Sequence, residues 1–134
     1  MSEPTTKKID LAALKLASTA KIELKHPTSG DRLGIFLLIA GKDSETFKSA
    51  MRDRYAKRIA SVKQHGDANP TSDDIDAENL TLLTRCVLGF ENVVVDGEEL
   101  EFSPEAAREL LATYPWIYEQ VDMHVGDRGN FLRS

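Results

Sequence analysis

A chain of 134 residues, 41% hydrophobic and 29% charged, has the size and composition of one globular domain, which excludes a wholly disordered polymer. The single cysteine, Cys86, excludes an intramolecular disulfide framework. The net charge of −5 is unevenly spread: 13 Lys/Arg against 7 Asp/Glu up to Gly66, then 4 against 15 from Asp67 to Ser134. Such a dipolar chain steers a partner, pairs its own halves across an internal interface, or carries solvated helix faces that differ in sign.

Residues 1–19 read as a flexible N-terminal tail, and 20–134 as a single α+β domain. Met1 to Asp10 lack the apolar stretch of a signal peptide, so a cytoplasmic location is expected. Leu11 to Ala17 has room for a helical turn or two. Ala20 to His26 alternates, with Ile22 and Leu24 on one face and Lys21, Glu23 and Lys25 on the other, which is the period of a strand with one wet face. Pro27 to Asp31 supplies turn chemistry, and Leu33 to Ala40 is apolar on both faces. Together they predict an N-terminal β-hairpin. The run Ile35 to Ala40 is too short to span a bilayer.

Asp43 or Ser44 can cap the next element. Phe47, Met51, Tyr55, Ile59 and Val62 recur every three or four residues, the stripe of a long helix reaching about Gln64. Stripes of this kind are usually core. Lys48, Arg52, Lys57, Arg58 and Lys63 make the other faces basic. His65 to Thr71 breaks the helix. Ser72 or Asp73 then caps an acidic helix, whose Asp73, Asp74, Asp76 and Glu78 suit the positive end of the macrodipole. Ile75, Leu82, Leu83, Cys86, Val87 and Phe90 form its expected buried stripe. Val93-Val94-Val95, Asp96-Gly97 and Glu98 to Phe102 signal a short β-ribbon with a two-residue turn. Ser103-Pro104-Glu105 starts a helix, and Pro115 breaks it into a C-terminal pair.

Candidate chemistry is sparse. His26, His65 and His124 have no metal-ligand partner at helical spacing, and Cys86 lies on an apolar stripe, so no metal and no cofactor are expected. No phosphate loop, nucleophile elbow or dinucleotide fingerprint occurs, and an enzyme is the least favoured class. The acidic runs are explained by helix-start electrostatics and a wet ribbon edge. Binding surfaces are better candidates. Lys48, Arg52, Lys57 and Arg58 give the basic helix a face for nucleic acid, though an acidic chain repels a polyanion. Tyr114, Trp116 and Tyr118 concentrate aromatic surface at the helix junction. With Tyr114, Ile117 and Tyr118 turned inward, Trp116 points outward as an interface anchor or is covered by Phe131.

Two stretches carry a resemblance. Lys21 to Pro27 through Leu33-Gly34-Ile35 and Ala40 to Ser44 is one. Val95 to Glu105 with Leu110-Leu111, Tyr114-Pro115-Trp116 and Asp127 to Leu132 is the other. Across Lys21 to Leu132 the chain resembles the tail assembly chaperones of long-tailed bacteriophages and prophages. The resemblance implies a non-enzymatic protein of the host cytoplasm that binds the helical tape measure protein, helps tail tube protein assemble around it, and is absent from the mature virion. It carries over no contact residues. Opposite charges on the two halves would also support self-association of copies. The alternatives are a structural tail or head component and a nucleic-acid-binding accessory protein.

Overall fold

The computed structural model describes residues 8–66 and 70–132, so residues 1–7 of the expected tail lie outside it. Among the described residues the architecture is α+β, with four α-helices and five strands in two antiparallel sheets. The expected hairpin is present as β1 (Thr19–Lys25) and β2 (Arg32–Ala40), paired with Ile22 opposite Leu37 and Ala20 opposite Ile39. Its turn closes where Gly30 takes a φ of 75°, a region open to glycine without steric cost. The inner face buries Ile22, Leu24, Leu37 and Ile39. On the outer face Lys21 pairs with Glu91 and lies 4.7 Å from the centre of the Phe36 ring.

The hairpin gains a third strand that the sequence reading did not foresee. The acidic helix α2 (Ser72–Cys86) was expected to run on through Val87 to Phe90, but it stops at Cys86. Val87–Glu91 forms β3, antiparallel to β2, with Leu37 opposite Phe90. The pattern misled because Leu83, Cys86, Val87 and Phe90 satisfy a helical period and a buried strand equally well. The α2 cap also moves: Thr71, not Ser72 or Asp73, accepts from Asp74 N–H at 3.1 Å while the Asp74 carboxylate accepts from Thr71 N–H at 3.0 Å.

The remaining elements match their signals. Ser44 caps α1 (Glu45–His65), its hydroxyl accepting from Phe47 N–H at 3.1 Å. The ribbon consists of β4 (Val94–Val95) and β5 (Glu98–Glu99), turned by Asp96 at φ 52° and Gly97 at φ 81°. Ser103 caps α3 (Pro104–Thr113), and Pro115 opens α4 (Pro115–Gly126). These two helices close the core over the sheet with Ala107, Leu110, Leu111, Ile117, Val121 and Val125. Gln120 of α4 also clasps the edge of β1, accepting from Lys25 N–H at 2.9 Å and donating to its carbonyl at 2.8 Å.

Within the segment read as a tail, Leu11–Leu14 makes a 3-10 turn and Leu16 bridges Leu132. Ala17 N–H donates to the Phe131 carbonyl at 2.7 Å, so this end of the chain is sewn to the other. Phe131 is buried against Gly41, where a β-carbon would lie 3.0 Å from the ring.

Candidate functional site

The stripe on α1 is where structure and expectation part. Phe47 packs partly against the core, but Met51, Tyr55, Ile59 and Val62 are 41%, 69%, 40% and 47% exposed. They are surface rather than core. The physical reason is reach: from Met51 to Gln64 only Arg54 is better than exposed, because the helix runs past the sheet and packs chiefly on α2. Its companion is similar. Thr71 to Ala77 of the α2 start is exposed, and Ile75, expected in the buried stripe, is 37% exposed. The two helix ends thus form an arm that leaves the body.

Charges join the arm together. Glu78 of α2 accepts from Arg54 at 3.2 Å and from Arg58 at 2.6 Å. Arg54 also donates to Asn79 at 3.0 Å, and Arg85 reaches back to Asp53. The basic and acidic halves therefore pair across an internal interface. A cleft of about 600 Å³ lies between the helices, lined by Asp53, Arg54, Arg58, Glu78 and Arg85 together with Lys57 and Arg108. The carboxylates Asp53 and Glu78 in the cleft are engaged by guanidinium groups.

Of the basic residues singled out by sequence, Arg58 is thus tied to Glu78, and Arg52 pairs with Glu45 along α1. That arginine holds the Glu45 carboxyl below its usual range. Lys48, Lys57 and Lys63 are exposed and make no ion pair among the described residues. The stripe lies beside them: Tyr55, Ile59 and Val62 surround a shallow depression with the stems of Arg58 and Lys63.

The aromatic junction takes a different form. Tyr114, Trp116 and Tyr118 are all half-buried and pack against the core, while Ile117 between them is buried. Trp116 meets Tyr114 edge to face with ring centres 6.3 Å apart. Burial, with the nearby Asp122 and Asp76 carboxylates, raises the Tyr118 hydroxyl pKa. Trp116 is thus held at the surface without standing clear of it. Phe131 docks near Val125, toward the other end of α4.

Other titratable side chains have structural settings. Cys86 is buried, and desolvation pushes its thiol up to about 11, so it stays protonated near neutral pH. His124 is pushed below its ordinary value, chiefly by burial, with Asp127 opposing and Lys25 adding to the shift. Asn130 sits 3.1 Å from its Nδ1. Among the described residues no cluster of three His, Cys, Asp or Glu side chains could hold a metal ion, and no helix is long and apolar enough to cross a membrane. Comparison with protein-family models, with curated proteins and with solved structures gave no match.

Proposed function

We propose that this chain is a non-catalytic binding protein that receives an amphipathic helix on the arm, and that it acts as a phage tail assembly chaperone. The observation that carries the reading is the exposed stripe Met51, Tyr55, Ile59 and Val62. The twelve residues from Met51 to Val62 are separated by eleven helical rises, about 16 Å or three turns, which matches the anchors of a helix laid along a helix. Tyr55, Ile59 and Val62 line one shallow depression together, and contiguous exposed apolar side chains mark interaction sites.

The client's identity comes from the sequence resemblance, which implies the tape measure protein, with tail tube protein assembling around the complex in the host cytoplasm. The nucleic-acid reading is weakened by the ion pairs of Arg52, Arg54 and Arg58, which spend half of the six cations of α1 within the chain. Enzymatic chemistry has no favoured set of residues in the cleft.

Co-expression with a long helical tape measure protein tests the proposal. The chain is expected to raise that protein's soluble yield and to co-purify with it. The variant Tyr55→Glu/Ile59→Glu is expected to lose both effects while keeping its circular dichroism. Unchanged solubility and no co-purification would remove the reading. Recovery of the chain from purified particles would favour a structural tail component instead.

A further inference from the structure

The charges that border the stripe set the chemistry of what it can receive. Of the six cations of α1, Arg52, Arg54 and Arg58 are held by carboxylates of the same chain. Lys48, Lys57 and Lys63 are exposed and make no ion pair among the described residues. Their places differ. Lys63 follows Ile59 by four residues and forms part of the wall of the depression that Tyr55, Ile59 and Val62 line. Lys48 precedes Tyr55 by seven residues and Ile59 by eleven, so it continues their row about one turn beyond Met51. Lys57 falls on the far side of the helix and lines the cleft against α2. Asp53, the one carboxylate from Met51 to Lys63, also falls on the far side, where Arg85 holds it. The apolar row therefore has an uncompensated ammonium at each end, about 22 Å or four turns apart along the axis, with no anion of α1 between them.

We infer that the arm takes an amphipathic helix whose apolar face is bordered by carboxylates, and turns away one bordered by lysine or arginine. This partner chemistry rests on the reading of the arm as the seat of a helix, and adds to it a rule of choice. Apolar contact alone accepts any helix with anchors three or four residues apart, so it gives affinity with little discrimination. Charges at the rim add little affinity but decide between partners, because like charges brought together are penalised where opposite ones are favoured. Here the lysines decide. Arg52 and Arg58 also border the row, but each already faces a carboxylate of its own chain, Glu45 and Glu78. A nucleic acid would answer the lysines and leave the row wet, whereas a helix with acidic borders answers both. One exposed ion pair is worth up to about fivefold in an equilibrium constant. Two such pairs gained by one helix, against two repulsions met by another, separate the two by about tenfold or more.

Fluorescence anisotropy of the whole chain with three labelled helical peptides of about 18 residues, or five turns, tests it. The peptides share one leucine face and differ only in the residues bordering it, which are Glu, Gln or Lys. The Glu peptide is expected to bind about tenfold more tightly than the Lys peptide, with the Gln peptide between them. Near 1 M salt, where the screening length is about 3 Å, the gap is expected to close. Lys63→Glu is expected to remove most of the gap, and Lys48→Glu/Lys63→Glu to reverse the order. Lys57→Glu makes the same charge change on the far side and is expected to leave the order as it was, which separates local charge from net charge. Tyr55→Glu/Ile59→Glu is expected to weaken all three peptides. All five positions are exposed, and circular dichroism checks each fold. Equal binding of the three peptides overturns the inference and leaves the arm as a helix receiver. An order that survives Lys48→Glu/Lys63→Glu, or that Lys57→Glu alone abolishes, overturns it too. If no peptide binds, or if binding is untouched by Tyr55→Glu/Ile59→Glu, the reading of the arm falls and this inference with it.

Discussion

Leu24, Leu37, Ile39 and Val121 in the body are no more than 1% exposed, whereas every large apolar side chain from Met51 to Val62 on the arm is at least 40% exposed. The two regions have similar helix-forming material but different partners. The body puts a sheet under two helices, and each side chain that leaves water meets others already dry. The arm sets one helix against one helix, and what crosses between them is mainly guanidinium and carboxylate. Such pairs gain little net free energy in a wet setting. The body is therefore where folding stability resides, and the arm is a presented surface whose own stability is marginal.

The sharpest way to break this comparison is to cut the same kind of side chain from each region. Leu37→Ala removes a fully buried side chain from the centre of the sheet. It is expected to cost about 2–5 kcal/mol in denaturant unfolding. Gly41→Ala probes the seam between the chain ends, since the added carbon would meet the Phe131 ring at 3.0 Å. That overlap is expected to cost about 1–3 kcal/mol, read in the same assay, because the ring is itself buried. A neutral result at Gly41 would mean that the terminal seam yields easily and belongs with the arm.

Charge should matter more on the arm than on the body. Glu78→Gln leaves Arg54 and Arg58 without their shared carboxylate. The expected loss is about 1 kcal/mol, at the upper end for surface pairs because two partners are lost at once. Hydrogen exchange should place that loss in the amides of α1 after Met51 and of the α2 start, leaving β1 and β2 protected as before. An equal loss of protection in the sheet would show that arm and body open as one unit.

A pH titration of stability separates the regions in another way. His124 belongs to the body and has its pKa lowered, chiefly by burial, from 6.5. The folded state therefore binds a proton less readily than the unfolded state, so stability declines as pH falls below about 6.5. His124→Gln is expected to flatten that part of the curve, as followed by thermal unfolding. Near pH 4 and below, Glu45 and Asp74 contribute losses of their own. Arg52 lowers the first and the Thr71 amide and hydroxyl lower the second, so both give stability above their ordinary values that vanishes on protonation. Those losses belong to the helix starts flanking the arm.

The body was the more legible region, for a physical reason. Alternation in Ala20 to His26, the Asp96-Gly97 turn and the Ser103-Pro104 start each report a local requirement that the backbone imposes anywhere. The C-terminal order of α1 was equally readable as a helix, but not what covers it, since burial depends on elements distant in sequence. One clue was present. At 100° per residue, Arg58 falls between Phe47 and Val62 on the wheel, so a guanidinium stands within the apolar arc. A face that accommodates it is wet. β3 stayed hidden because no turn residue separates Cys86 from Val87, and the one breaker in the run, Gly89, falls inside the strand. The pairing of basic with acidic helix was foreseen only as one option among three, since Coulomb attraction has no sequence period.

The smallest expected effect tests the comparison most strictly. Ile59→Ala and Val62→Ala delete branched apolar side chains that would cost several kcal/mol in a core. On the arm they stay 40% and 47% exposed, so little area leaves water on folding, and alanine is the better helix former. The two terms oppose each other, and the net change should lie within about 0.5 kcal/mol of zero. Urea unfolding in dilute solution is the measurement, because dilution removes any contribution from bound partners. A loss above about 1 kcal/mol in dilute solution would mean that these side chains are covered within one molecule, and the arm would lose its claim to be a surface. A null result there, with loss of client binding in the same variant, is what a stripe kept for recognition requires: residues that contribute to the complex while contributing nothing to the fold.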